Sequence, residues 1–213
     1  MGKIRILLAD DHMMFCDLLR TLLEPEYEVV GIVGDGNELL ESAQNLSPDV
    51  ALIDIGMPSM NGLDAGRRLK QLLPRIKIIY LTMNSSAALA SEALQAGASG
   101  YVLKNAKTSE LLRAIRYALR GRSFVAAKLK QEMADNFVRD PNWSRHPEHL
   151  TDRQREVLQM LAEGHSMKET AYSLHITHRT VRFHKLRIME ELGIKTNAEL
   201  VQYAMKHSII SPV

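Results

Sequence analysis

The sequence predicts two domains in series. The first is an α/β domain on a five-stranded, doubly wound parallel sheet over residues 1–121; the second is an all-α domain of four helices over residues 149–213, with a linker over 122–148 between them. Three observations carry this reading. Up to about residue 120, short apolar strands alternate strictly with helical patterns, as parallel βαβ units with right-handed crossovers require. The stretch Val50-Ala51-Leu52-Ile53-Asp54 is apolar throughout until it ends on an acid, and a loop holding Gly56, Pro58 and Gly62 follows; strands buried on both faces of a parallel sheet read this way. From residue 150 onward only helical patterns remain, punctuated by Gly164, by His175-Ile176-Thr177 and by Gly193.

In chain order, Lys3 to Ala9 is the first strand, closed by Asp10-Asp11-His12. Met13 to Leu23 has helical apolar spacing, and Pro25 stops it. Tyr27 to Val33 is the second strand, turned by Gly34-Asp35-Gly36, and Glu38 to Leu46 is the second helix. After the Asp54 strand, Gly62 to Leu73 is a helix stopped by Pro74. Ile76 to Thr82 is the fourth strand, Ala87 to Ala96 a helix ended by Gly97, and Ser99 to Leu103 the fifth strand. Thr108 to Arg120 is a helix with Thr108 as its cap, Glu110 in its first turn and Gly121 after its end. Beyond Gly121 the pattern degrades. Ala126 to Val138 suits a helix through Leu129, Met133 and Phe137, and the polar segment from Asp140 to Pro147, broken by two prolines, reads as linker. Trp143 is the single tryptophan of the chain, and His146 and His149 are too few for a metal site.

Composition narrows the class. Hydrophobic residues make up 46% of 213, enough for packed cores, and with a formal net charge of +2 no global polybasic character announces a partner. Cys16 is the single cysteine, so no intrachain disulfide forms and a reducing cytoplasm fits. Among apolar neighbours it reads as a small buried hydrophobe. No apolar run approaches the roughly 18 residues that span a bilayer, and Met1-Gly2-Lys3-Ile4-Arg5 leads straight into a strand with no signal peptide. The expectation is a cytoplasmic protein with no membrane partner.

In a parallel sheet every strand points its carboxyl end at one rim, where ligands sit. That rim collects Asp10 and Asp11, Asp54, Thr82 and Lys104 from four different strand ends. Three carboxylates at one rim repel one another unless a cation is present, and an oxygen-only set points to a hard ion, most simply Mg²⁺. A carboxylate beside Mg²⁺ can attack a phosphoryl group to form an acyl phosphate, while a hydroxyl and an ammonium, here Thr82 and Lys104, meet the developing charge.

Asp10-Asp11, the run Asp54-Ile55-Gly56-Met57-Pro58-Ser59-Met60-Asn61-Gly62, Leu81-Thr82 and Ala96-Gly97-Ala98-Ser99-Gly100-Tyr101-Val102-Leu103-Lys104 resemble the flavodoxin-like receiver domain of two-component response regulators, over roughly residues 3–120. The resemblance implies that Asp54 is the phosphoacceptor, supplied by a sensor histidine kinase. It implies that Asp11, Asp54 and the Gly56 carbonyl bind Mg²⁺, with Asp10 helping through water, and that Lys104 pairs with the phosphoryl group. Thr82 and Tyr101 resemble the family's switch pair, in which the threonine turns toward the phosphoryl group and the tyrosine follows.

In the second domain, Thr151 and Gln154 form a capping box ahead of a helix that Gly164 ends. Ser166 caps a short helix to Leu174, His175-Ile176-Thr177 turns, and His178 to Leu192 is a longer helix ended by Gly193. Two helices joined by a tight turn make a helix-turn-helix, whose second helix normally enters the major groove. Nine basic against seven acidic residues from 150 onward is a weak excess, but Arg179, Arg182, Lys185 and Arg187 share one helix with no acid between them. Val181, His184 or Leu186, and Ile188 give that helix its inward face. Asn197 to His207 is the final helix, with Leu200, Val201 and Ala204 on one side.

This region resembles the LuxR-type helix-turn-helix through Leu150 to Leu158, Ala162-Glu163-Gly164, Lys168-Glu169, Thr180-Val181-Arg182-Phe183-His184, Ile188-Met189 and Leu192-Gly193. With the receiver it is similar to a NarL/FixJ-type transcriptional response regulator acting on double-stranded promoter DNA. Carried over, Arg182 and Phe183 meet bases, Arg179, Thr180, Lys185 and Arg187 lie on the DNA-facing helix with phosphates among their contacts, and Lys168 adds a phosphate contact from the preceding helix. The final helix implies a homodimer on activation. Phe183 stands where a small aliphatic residue is common and can meet thymine methyls. Two rivals are weighed. A phosphatase using Asp54 as nucleophile wants an acid two residues on, where Gly56 stands. A phosphorylation-independent transcription factor would keep the receiver only to dimerise.

Overall fold

The computed structural model describes residues 2–139, 150–207 and 209–210. Its first domain runs β1 (Arg5–Ala9), α1 (Met13–Leu23), β2 (Glu28–Val33), α2 (Gly36–Leu46), β3 (Val50–Asp54), α3 (Gly62–Leu72), β4 (Lys77–Thr82), α4 (Ala87–Gln95), β5 (Gly100–Leu103), α5 (Thr108–Leu119), β6 (Phe124–Val125) and α6 (Ala127–Arg139). The sheet is parallel throughout, in the order β2-β1-β3-β4-β5-β6. The doubly wound class is as expected, with one strand more than the five the periodicity finds.

The sixth strand lies in the segment expected to be linker. It has two residues, too short for any period to register. Phe124 N–H donates to the Ser99 carbonyl at 3.0 Å, and both side chains are buried. The Phe124 ring meets Tyr117 of α5 edge-on. After it, α6 lies against α4 through Leu129 and Met133. Phe137, expected on the same face, is 58% exposed, because the last turns of α6 run beyond what they pack on. Trp143, His146 and His149 lie outside the described residues.

Two cores sandwich the sheet. Leu7, Ala51, Ile53, Ile78 and Tyr80 face α2, α3 and α4, whereas Ile6, Leu8, Leu52, Ile79 and Leu81 face α1 and α5. Every residue of β3 is buried, as a central strand demands. Burial of such aliphatic side chains contributes about 1.5–3 kcal/mol each relative to exposure. Side chains end the loops: Asp35 caps α2, Asn61 caps α3 and Ser86 caps α4. The expected cap Thr108 is instead the first residue of α5, and Lys107 occupies the cap position without a side-chain bond.

Cys16 is fully buried in α1, its thiol 3.6 Å from the Asp10 carbonyl. Burial, reinforced by the Asp10 charge, pushes the thiol up to about 11. Since the thiolate is the reactive form, the native chain is expected to resist alkylation at pH 8 and the denatured chain to be labelled promptly. Stoichiometric labelling of the native chain at the denatured rate would contradict that burial.

The second domain comprises α7 (Asp152–Ala162), α8 (Met167–Ser173), α9 (His178–Glu191) and α10 (Asn197–Lys206). Capping boxes start α7, α8 and α10, the first being the expected Thr151–Gln154 pair. His175 takes φ +52° in the turn between α8 and α9. Leu150, Val157, Leu158, Val181, Ile188, Leu200 and Ala204 close the core. Among the described residues no helix is long and apolar enough to cross a membrane.

Candidate phosphoacceptor site and nucleic-acid interface

The carboxyl ends of β1, β3, β4 and β5 converge as the alternation requires. Asp10 and Asp54 are buried at the ends of β1 and β3, whereas Asp11 is exposed at the rim. Ligand atoms of Asp10, Asp11, His12 and Asp54 all lie within 4.8 Å of one another. Lys104, just past β5, reaches back so that its Nζ stands 2.8 Å from Asp10 Oδ2 and 2.9 Å from Asp54 Oδ2. The Lys104 N–H donates to the Thr82 carbonyl at 2.8 Å, which ties the ends of β4 and β5 together. The Phe15 ring lies 5.3 Å from its ammonium.

The electrostatics follow from burial. Desolvation holds the Asp54 carboxyl above its usual range, and the neighbouring Lys104 charge offsets this only in part. Burial acts to lower the Lys104 ammonium, but Asp54 and Asp10 outweigh it and hold Lys104 above its ordinary value. The site thus concentrates negative charge around one fixed cation. The donor set is three carboxylates within a few ångströms, two of them buried. That chemistry fits a hard divalent ion such as Mg²⁺.

Thr82 is buried at the end of β4, and its Oγ1 accepts from the Asn84 N–H at 3.0 Å. Tyr101 is fully buried, with its hydroxyl donating to the Asn84 carbonyl at 2.7 Å. Its ring therefore already occupies an inward position, and burial raises its phenol. His12 stands beside the acid pair. Its Nδ1 lies 2.8 Å from Asp11 Oδ1 and 3.1 Å from Asp10 Oδ1, and its backbone N–H donates to Asp10 Oδ1 at 3.0 Å. Its place directly after the acid pair is the only signal the sequence offers for it.

In the second domain, Val181 and Ile188 are fully buried while Arg179, Arg182, Phe183 and Arg187 are exposed on α9, so the basic face looks outward. Lys185 and Thr180 are half-buried, and Lys168 is exposed on α8. Leu186, one of two candidates for the inward face, is 56% exposed, whereas His184 is half-buried. Thr177 caps α9 by accepting from the Thr180 N–H at 3.1 Å. The Arg187 guanidinium lies 6.0 Å from the Phe183 ring, so the aromatic and one cation form a joint exposed surface.

The two domains touch through α7. Arg68 of α3 pairs with Glu156, and Arg155 Nη1 lies 2.9 Å from Glu92 Oε1 on α4. Arg67 joins Asp64 at 2.7 Å and Glu92 at 2.5 Å, with Asp152 at 3.7 Å. Gln159 of α7 meets the loop after Asp54.

Comparison with known proteins agrees with both halves. Residues 6–116 match the response regulator receiver domain, and residues 148–204 match the bacterial regulatory proteins of the luxR family. The chain is 34% identical to the transcriptional regulatory protein MctR of Rhizobium johnstonii, covering 99% of this chain and 97% of that one. It is 35% identical to the oxygen regulatory protein NreC of Staphylococcus aureus, covering 97% and 99%. Among solved structures it is similar to the RcsB response regulator of Salmonella typhimurium, at 27% identity and TM-score 0.70 over 95% of this chain and 97% of that one. A second similar structure is RcsB of Salmonella enterica serovar Typhimurium bound to promoter rprA with the phosphomimetic BeF₃⁻, at 26% identity and TM-score 0.68 over 95% and 98%. The two matched regions follow one another along the chain as its two domains do, and the chain belongs to the two-component response regulators that join a receiver domain to a LuxR-family DNA-binding domain, a family of transcriptional regulators and not of enzymes.

Proposed function

We propose that this chain is a cytoplasmic transcription regulator switched by phosphorylation of Asp54. The observation that carries the reading is the buried Asp54 carboxylate, 2.9 Å from Lys104 within a cluster of acids at the strand ends. Asp11, Asp54 and the Gly56 carbonyl hold Mg²⁺, with Asp10 assisting. When bound, the ion neutralises charge on the phosphoryl oxygens. An Asp54 oxygen attacks the phosphorus of a kinase phosphohistidine; the new O–P bond replaces the breaking P–N bond, and the imidazole leaves with the electron pair and takes a proton. Lys104 then pairs with the phosphoryl group, and Thr82 and Tyr101 respond to it. Phosphorylation replaces about one negative charge by about two, which favours a homodimer through a population shift.

The working units are a receiver over 1–121, a joint over 122–148 and a DNA-binding unit over 149–213. Arg182 and Phe183 read bases, while Lys168, Arg179, Thr180, Lys185 and Arg187 hold the duplex, mainly through its phosphates. Two half-sites about one helical turn apart suit such a dimer.

The test measures affinity for a duplex carrying the chain's own selected site, with and without Mg²⁺ plus beryllium fluoride, across a salt series, alongside mobility on a sizing column. The expected result is a dimer and tighter binding with the mimic, and a steep fall in affinity with salt. Several phosphate contacts predict a loss of about 10³-fold or more between 50 mM and 200 mM salt. Binding that ignores the mimic would favour the phosphorylation-independent reading, and binding that ignores salt would contradict the basic face.

A further inference from the structure

Among the described residues of the DNA-binding domain, Gln159 reaches the backbone of the phosphoacceptor loop with both ends of its side chain. It lies on α7 and is 2% exposed. Its Nε2 donates to the Met57 carbonyl at 2.9 Å, and its Oε1 accepts from the Asn61 N–H at 2.8 Å. The same Nε2 donates to Glu163 Oε1 at 2.8 Å, and that oxygen accepts from the Ser59 N–H at 3.3 Å. One primary amide therefore closes the loop as a neighbouring peptide group would, binding a carbonyl and an N–H four residues apart.

The clamped loop is the one that matters chemically. It starts one residue after Asp54, and Met57 follows Gly56, whose carbonyl is a ligand in the proposed metal set. Ser59 sits in the left-handed region at φ +63°, where a residue with a side chain stays only if its surroundings hold it. The loop lacks any strand partner, yet Met57 is fully buried and Met60 is 6% exposed. The Asn61 side chain caps α3 through the Leu63 N–H at 2.8 Å and donates to the Ile209 carbonyl at 3.3 Å, a second tie to the DNA-binding domain. Meanwhile Arg179, Arg182, Phe183 and Arg187 stay exposed. The contact leaves the basic face of α9 open, and its direct effect falls on the loop.

We propose that Gln159 is a positioning residue for the receiver's metal site: by holding Met57 and Asn61, the DNA-binding domain pre-orders the loop that presents the Gly56 carbonyl. A pre-ordered loop loses less conformational freedom when the ion binds, so affinity is higher than for a free loop. The inference rests on the metal site proposed above. Coupling of binding free energies is reciprocal, so the ion tightens the Gln159 contact by the same factor.

The experiment is calorimetric titration of the full chain with Mg²⁺, for the parent, Gln159→Leu and Gln159→Glu, with thermal unfolding of each. Gln159→Leu keeps the volume and removes all three side-chain hydrogen bonds, the two to the loop and the one to Glu163. Gln159→Glu keeps an acceptor for the Asn61 N–H but sets a carboxylate against the Met57 carbonyl and Glu163. Both are expected to bind Mg²⁺ about three- to tenfold more weakly, the factor for losing one or two net hydrogen bonds, with unfolding of the receiver unchanged. If only one variant folds, that variant decides. Parent affinity in a folded variant, or tighter binding, overturns the inference. Absence of Mg²⁺ binding in the parent overturns the metal site itself, a separate failure.

Discussion

Asp54→Asn is expected to abolish phosphoryl acceptance completely and, with it, any gain in DNA affinity from a phosphodonor. Asparagine matches aspartate in shape, and position 54 is 4% exposed at the end of a fully buried strand, so the fold has no steric reason to change. What is lost is the nucleophilic oxygen and one negative charge facing Lys104 Nζ at 2.9 Å; Lys104 keeps Asp10 at 2.8 Å. The stability effect has a definite sign. Burial holds the Asp54 carboxyl above its unfolded value, against the partial offset of Lys104. A raised acid favours the fold most when protonated, and that contribution is lost as pH rises through the folded-state value. At neutral pH the ionised carboxylate is therefore a cost, and Asn removes it. Asp54→Asn should melt no lower than the parent at pH 7, with the difference shrinking as both are taken below pH 4, about the ordinary carboxyl value. Intact mass after incubation with a small phosphodonor and Mg²⁺ gives the primary readout. A phosphoryl mass gain in the variant would mean that another residue accepts the group.

The sequence was most legible where a physical rule leaves one solution. The alternation of strand and helix forces a parallel sheet, a parallel sheet forces its carboxyl ends to one rim, and so Asp10, Asp54 and Lys104 meet although 44 and 50 residues separate them. The Thr151–Gln154 capping box needed only its own spacing. What escaped had no period or depended on a partner. β6 is two residues long. Leu186 looked apolar enough for the inward face of α9, but the core of the second domain is closed by Val181 and Ile188, which leaves Leu186 outside. Gln159 and Arg155 read as polar positions on an amphipathic helix. Gln159 is covered by a loop of the other domain and Arg155 pairs with acids on its helices, and no local pattern announces a face that docks on a loop 98 residues away.

Gly62→Ala should be the most damaging single methyl in the receiver. A Cβ built at Gly62 would stand 1.8 Å from the Asp54 carbonyl oxygen and 3.0 Å from Ile53 Cγ2. The first of these is backbone of the central strand, so no rotamer relieves it. The α3 N-terminus has to withdraw, and in doing so it breaks the bond from the Gly62 N–H to the Ile55 carbonyl at 2.9 Å and disturbs the Asn61 cap. Overpacking of this kind costs about 1–3 kcal/mol and sometimes more; a backbone clash with two hydrogen bonds at stake belongs at or above the upper end. At roughly 4 °C per kcal/mol for a domain of this size, the unfolding midpoint should fall by about 10 °C or more. Gly34→Ala is the matched control, since nothing lies within 4 Å of its added methyl, and it should change the midpoint little. Any folded Gly62→Ala protein should also accept phosphoryl groups poorly, because retreat of α3 drags the loop that joins Asp54, Gly56 and the Gln159 contact. Near-parent stability with near-parent phosphorylation would mean that α3 and β3 are not in the close contact described. The fold and the chemistry share this one glycine because the strand that carries the nucleophile and the helix that follows it approach within a distance only a hydrogen atom can occupy.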